Sequence, residues 1–316
     1  MIRYFKTNQL GKLEELERSE KGCWINIYPP FNHDNLKQIS TGYNIPIDFL
    51  IDSLDIDERA RFEKEDDINL IVVKTPCANE DNDIRDAKYL TIPIGIIITP
   101  ELILTISPQE NPVINSFLNN TVKHFNTQDT GRFVTQIFER NVFYFLYFLK
   151  EINHERNEFE KELYTSMRNE ELTKLLSIEK SLVYFVTSLR TNELLMMKIE
   201  RTDFLKVAHD TEIKEFFADV LIDYSQAMEM ANIYTNILSG TMDAFASIIS
   251  NNLNVVVKRL TTVTIILMVP TLAASFMGMN VIVPGANSPW SFVYIVGISL
   301  LVCVLMLWVF IRQRWF

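Results

Sequence analysis

The sequence predicts an α/β N-terminal cytoplasmic domain, a long stalk helix and two C-terminal transmembrane helices. Three observations predict this arrangement. Charge is confined almost entirely to the residues before Leu260, after which only Arg312 and Arg314 are charged. Residues 260–279 and 290–311 are uncharged runs of about 20 and 22 residues, each long enough to cross a hydrocarbon core of roughly 30 Å. Apolar residues also change from strand-like runs to helical spacing near Thr130.

The flanking charges set the expected orientation. Lys258 and Arg259 precede the first run, Arg312 and Arg314 follow the second, and the connection between them is neutral. The excess of Lys and Arg on cytoplasmic flanks then places both termini in the cytoplasm of a multi-pass cell (inner) membrane protein. Trp290, Trp308 and Trp315 sit near the run ends, where interfacial aromatics are favoured. The N-terminal stretch lacks the apolar core of a signal peptide.

In the first third, strands are expected at 2–6, 23–28, 68–74, 89–99 and 102–107, which are rich in Ile, Val and Tyr and bounded by Pro, Gly, Asn and Asp. Residues 46–54 read as a short helix with proline early, and the polar stretch 77–88 as a loop. Helical spacing continues to about Met167 and resumes from Asn169, a plausible N-cap, to about Phe204. A third helical pattern starts near Asp210 and meets no glycine before Gly240 and no proline before Pro270. It predicts one helix entering the first span, a rod of about 100 Å at 1.5 Å per residue. The expected organisation is therefore 1–129 α/β domain, 130–209 helical pair, 210–259 stalk, 260–280 first span, 281–289 outer loop, 290–311 second span and 312–316 basic tail.

Composition removes several function classes. Forty acidic against 30 basic residues give a net charge of −10, unsuited to a nucleic-acid partner. Cys23, Cys77 and Cys303 form no CxxC pair, and His33, His124, His154 and His209 form no zinc motif. A glycine-rich phosphate loop and a nucleophile elbow are both missing from the sequence. The chain reads as a non-enzyme without a prosthetic group.

The long helix carries a polar stripe. Asp243, Ser247, Ser250, Asn254, Val257, Thr261, Thr264, Met268, Thr271 and Ser275 are spaced alternately four and three residues apart, which puts them on one face. Small hydroxyls serve as glue between membrane helices, and they also line water-filled paths. Two spans cannot enclose such a path alone, so the second use requires a homo-oligomer. Asp243 is either a solvated surface charge or part of a ring that concentrates cations.

The stripe runs to Gly278-Met279-Asn280, followed by a short loop and the second span. This resembles the CorA family of divalent-cation channels, whose signature is Gly-Met-Asn at that place. The ending Arg312-Gln313-Arg314-Trp315-Phe316 is similar to the family's basic-aromatic tail, Trp24-Ile25-Asn26-Ile27-Tyr28-Pro29 to an early strand, and Ile51-Asp52-Ser53-Leu54-Asp55 with Arg59-Ala60-Arg61-Phe62-Glu63 to a further stretch of the family. The resemblance covers essentially the whole chain. It implies a funnel-shaped homopentamer in membrane lipid that takes up Mg²⁺, and also Co²⁺ or Ni²⁺, with the first span lining the pore and the second outside it.

The resemblance also implies residue roles. Gly278, Met279 and Asn280 would form the outer selectivity entrance, where five neutral amides accept hydrogen bonds from the water shell of the cation; Asn280 alternatively caps the helix. Thr271, Met268, Thr264, Leu260, Val257 and Asn254 would line the pore, with Leu260 and Val257 closing it by dewetting and Asp243 lower down. Asp52 and Asp219 of neighbouring subunits would hold a regulatory Mg²⁺ whose loss loosens the ring; the alternative is two ordinary surface carboxylates. Three features depart from the family pattern: Met277 replaces its tyrosine, Ile51 replaces a glutamate, and the loop around Pro284, Gly285 and Pro289 is neutral. Zn²⁺ transport by the same fold, or a non-conducting membrane-anchored sensor or scaffold, are the alternatives that these departures leave open.

Overall fold

The computed structural model describes residues 1–8, 11–31, 33–79, 86–166, 169–205, 210–279 and 290–313. It comprises two compact units, Met1–Ser239 and Gly240–Phe316. The first is an α/β domain around one seven-stranded sheet. Its strands are β1 (Ile2–Thr7), β2 (Leu13–Leu16), β3 (Trp24–Ile27), β4 (Arg61–Glu65), β5 (Ile68–Ala78), β6 (Tyr89–Ile98) and β7 (Ile103–Ile106), in the order β2-β1-β3-β7-β6-β5-β4. All pairs are antiparallel except β3 with β7.

The central strands are near-continuous apolar runs because both sheet faces are covered. On one face, Ile25 and Ile27 of β3, Leu70 and Val72 of β5 and Leu104 and Ile106 of β7 pack with Leu36 and Ile39 of α1 (His33–Tyr43) and Phe49 and Leu50 of α2 (Ile47–Asp52). On the other lie α3 (Pro112–Leu118), α4 (Thr130–Ser166) and α5 (Asn169–Thr202). Trp24, fully buried, meets Phe117, Phe125 and Phe133 edge-on at centroid distances of 6.1, 6.0 and 5.3 Å. Its Nε1–H donates to Thr105 Oγ1 at 2.8 Å, whose hydroxyl donates to Asn26 Oδ1 at 3.0 Å, so the polar atoms buried with it are partnered.

The five expected strands are present with ends displaced by at most four residues, and α2 begins behind Pro46, which occupies the N-cap. Four elements were not expected: β2, β4, α1 and α3. The reading of 77–88 as a loop needs correction at its start, since Cys77 and Ala78 belong to β5 and pair with Leu90 and Tyr89. Burial of Cys77 (5% exposed) explains why the strand runs on; residues 80–85 lie outside the described residues.

The end of α2 is seated on the sheet by a close approach. Ser53 Oγ donates to the Phe49 carbonyl at 2.6 Å, and a Cβ at Gly95 of β6 would fall 1.9 Å from that oxygen. Gly95→Ala is therefore expected to lift the segment that carries Asp52 and to destabilise the domain by about 1–3 kcal/mol, as overpacking does; thermal unfolding of the purified chain measures it.

Asp210 opens α6 (Thr211–Met277), accepting from the Glu212 and Ile213 amides at 2.9 and 3.4 Å. The long helix expected from the glycine and proline pattern is thus a single element of 67 residues, with Pro270 inside it. α7 (Ser291–Arg312) follows. Both are long and apolar enough to cross a membrane, and only 6% of the apolar window of each is buried.

Candidate ion path and regulatory carboxylates

Every residue of the polar stripe, from Asp243 to Ser275, is exposed in the single chain. Leu260 is 68% exposed, Met268 56% and Val257 52%, values a globular protein does not leave on one helix face without a partner or lipid. Beyond Ile248, the buried and half-buried positions of α6 are Thr262, Ile265, Ile266, Val269, Pro270 and Ala273. At about 100° per residue their centre lies roughly 130° around the helix from the centre of the stripe. They are matched on α7 by Ser291, Ile295, Ser299, Cys303, Met306 and Phe310, and Cys303 Sγ reaches the Ile266 carbonyl at 3.4 Å. The stripe is the face of α6 turned away from α7.

Four of the six hydroxyls of the stripe share one orientation. Thr261, Thr264 and Thr271 each donate to the carbonyl four residues earlier, at Val257, Leu260 and Leu267, at 2.9 Å, and Ser247 donates to Asp243 O at 3.0 Å. A hydroxyl has one hydrogen and two lone pairs. With the hydrogen turned onto the backbone, these side chains offer lone pairs to whatever faces them. Such a surface favours the outward-pointing hydrogens of a hydrated cation.

The signature residues end α6. The Gly278 amide donates to the carbonyls of Ala274 at 3.0 Å and Ser275 at 3.2 Å, and Met279 is exposed. A Cβ at Gly278 would meet Ala274 O at 3.5 Å, an ordinary contact, so the fold of one chain does not by itself demand glycine there. Asn280, the loop 281–289 and the tail residues Arg314, Trp315 and Phe316 lie outside the described residues.

Asp52 ends α2. Its Oδ2 accepts from Arg61 Nη2 at 2.7 Å, and the same guanidinium meets Glu58 at 2.5 Å and Glu63 at 3.1 Å. Burial lowers the affinity of Arg61 for its proton, but the three carboxylates outweigh it and leave its pKa raised. Asp219 is exposed on α6, one turn before half-buried Asp223. The pKa of Asp223 is raised from 3.8 by burial first and by the Asp219 charge second. Among the described residues no group of three His, Cys, Asp or Glu side chains is arranged to hold a metal ion within one chain.

Asp223 and Arg61 were not singled out from the sequence. The first carried a readable signal, its i+4 spacing from Asp219; the second becomes visible only when β4 is folded beside α2. Because the folded chain holds the Asp223 proton more tightly than the unfolded chain does, this carboxyl favours folding below pH 3.8, and that contribution is lost as pH rises through its folded value. Asp223→Asn is expected to raise the unfolding midpoint at pH 7 in chelator-containing buffer by roughly a degree or two, and to leave it unchanged near pH 3.

A second buried group ties the first unit together. The Lys74 amide donates to Asn192 Oδ1 at 3.0 Å, and its carbonyl accepts from Asn192 Nδ2 at 2.7 Å and Asn141 Nδ2 at 2.9 Å. Tyr224 of α6, fully buried, donates to Asn141 Oδ1 at 2.8 Å. Burial holds the Tyr224 phenol well above its ordinary range, which keeps it a donor. One strand and three helices thus share one polar knot, with Asp219 slightly more than a turn from its α6 member.

Comparison with known proteins agrees with this fold. The family model described as CorA-like Mg2+ transporter protein matches residues 19–312. The cobalt/magnesium transport protein CorA of Methanocaldococcus jannaschii is 28% identical over 318 aligned residues, spanning 96% of this chain and 95% of that protein. The complete structure of the M. jannaschii CorA magnesium transporter superposes with a TM-score of 0.83 at 26% identity, over 100% of this chain and 99% of that one. The ZntB cytoplasmic domain of Vibrio parahaemolyticus superposes with a TM-score of 0.62 at 14% identity over 79% of this chain and 98% of that one, a likeness of fold alone. The chain therefore belongs to the family of CorA-like Mg²⁺ transporter proteins, whose members carry ions and are not enzymes.

Proposed function

We propose that this chain assembles as a homopentamer in the cell membrane, termini in the cytoplasm, and conducts hydrated divalent cations along the exposed face of α6. The observation that carries this reading is the unbroken exposed stripe from Asp243 to Ser275, set opposite the α7 contact and presenting hydroxyl lone pairs. Mg²⁺ binds oxygen and sheds water reluctantly, so a wall that accepts hydrogen bonds from its hydration shell admits it without stripping it. The M. jannaschii relative is named for cobalt and magnesium, which supports Mg²⁺ as the main substrate with Co²⁺ beside it; Ni²⁺ rests on the family resemblance alone.

In this reading Asn280 and Gly278 frame the outer entrance, Thr271, Met268 and Thr264 follow, Leu260 and Val257 form the apolar gate, and Asn254 and Asp243 face the cytoplasmic side. Mg²⁺ bound between Asp219 of one subunit and Asp52 of the next holds the ring shut, and its loss shifts the population toward conduction. A cation recruited to Asp52 competes with Arg61, which pairs with that carboxylate at 2.7 Å.

Reconstitution into vesicles containing a Mg²⁺-sensitive dye, at fixed membrane potential, tests the reading. Uptake well above that of empty vesicles is expected, reduced by Asn280→Ala. Uptake equal to empty vesicles would count against conduction and leave a membrane-anchored sensor. Zn²⁺ uptake without Mg²⁺ uptake in the same vesicles would favour the zinc alternative.

A further inference from the structure

Proline has no amide hydrogen, so a proline inside a helix leaves the carbonyl four residues earlier without its helical donor and pushes it outward. In α6 the proline is Pro270, and the carbonyl it deprives is that of Ile266. Water is absent from the bilayer core, and an unsatisfied backbone group there is costly, so neighbouring helices commonly supply the missing partner. The only thiol of the second unit is placed to do so: Cys303 of α7 donates through Sγ to the Ile266 carbonyl at 3.4 Å. Ile266, Pro270 and Cys303 are all half-buried on the contact face, in line with Thr262 and Ser299.

We propose that Cys303 is a positioning residue of the ion path: its thiol replaces the donor missing at Pro270 and fixes the last two turns of α6 to α7. Those turns carry Thr271, Ser275 and Gly278, and Thr271 immediately follows the proline. The Thr271 lone pairs face the path in a fixed register only if the turn around Pro270 is held. The inference rests on the reading of α6 as the lining helix for its effect on transport, but the pairing of thiol and carbonyl stands on geometry alone.

The experiment is a double-substitution cycle on the full-length chain, with Cys303→Ala, Cys303→Ser, Pro270→Ala and Cys303→Ala/Pro270→Ala each assayed for thermal unfolding in detergent and for initial Mg²⁺ uptake in vesicles. Pro270→Ala returns an amide hydrogen to the Ile266 carbonyl. Cys303→Ala is therefore expected to lower uptake about fivefold, the equivalent of one lost hydrogen bond, and to lower the unfolding midpoint by a few degrees. In the Pro270→Ala background the same substitution is expected to change neither, and Cys303→Ser, which keeps a donor, is expected to remain near wild type. Equal effects of Cys303→Ala in both backgrounds, or no effect in either, would overturn the proposal. If wild-type chain shows no uptake, the transport reading fails, while the unfolding midpoints still decide whether the thiol serves the carbonyl.

Discussion

Thr264→Lys should abolish Mg²⁺ uptake without preventing assembly. In the proposed pentamer the substitution puts five ammonium groups around the axis, at the level where Thr264 now offers a lone pair. A doubly charged ion passing five charges at about 8 Å meets about 5 kcal/mol of repulsion even at the dielectric of water, and a narrower path raises it. That corresponds to a rate loss of about a thousandfold or more. Salt relieves part of it, since the Debye length is about 8 Å at physiological ionic strength. Light scattering on the solubilised protein checks assembly. To keep folding out of the question, Thr264→Cys can be reconstituted first and then coupled to a cationic thiol reagent. Uptake that survives the added charge would remove Thr264 from the wall of the path.

Asn141→Leu is expected to be the most damaging single change among the buried polar groups of the α/β domain. It deprives the Tyr224 hydroxyl of its acceptor and the Lys74 carbonyl of one of two donors. The carbonyl keeps Asn192, and the buried phenol keeps Asn192 as a neighbour but loses the acceptor of its hydrogen. Together the lost bonds and the stranded hydroxyl cost about 3 kcal/mol, roughly 6–12 °C in the unfolding midpoint of a domain this size. Removing the stranded group should recover part of the loss, so Asn141→Leu/Tyr224→Phe is expected to unfold at a higher temperature than Asn141→Leu alone. Additive losses in the double substitution would show that the two side chains do not depend on each other.

The parts of the fold that could be read from sequence are those where one physical signal dominates. The two long apolar helical stretches are legible because no charge interrupts them, and the stripe because a helix repeats its faces at a fixed interval. β5 and β6 are legible because burial on both faces leaves them almost wholly apolar. β2 and β4 are not, because each is an edge strand with charged side chains, Leu-Glu-Glu-Leu and Arg-Phe-Glu-Lys-Glu, that need little burial. α3 has seven residues, too few for a periodicity to emerge. α1 buries only Leu36 and Ile39, and the rest of it is polar. At the site, the exposed face of α6 follows from spacing, whereas the Arg61 pairing, the Asn141 knot and the Cys303 contact join residues that tertiary structure alone brings together.

Arg61 answers three carboxylates with one charge, which leaves a local surplus of two negative charges beside Asp52. Such a corner also gathers sodium and potassium, each more weakly than the doubly charged ion proposed for it. Raising monovalent salt should therefore relax the repulsion there without any coordination taking place. A divalent titration of this region reads true coordination only in the part of the response that persists in about 0.15 M KCl, where free-charge attraction fades within about 8 Å.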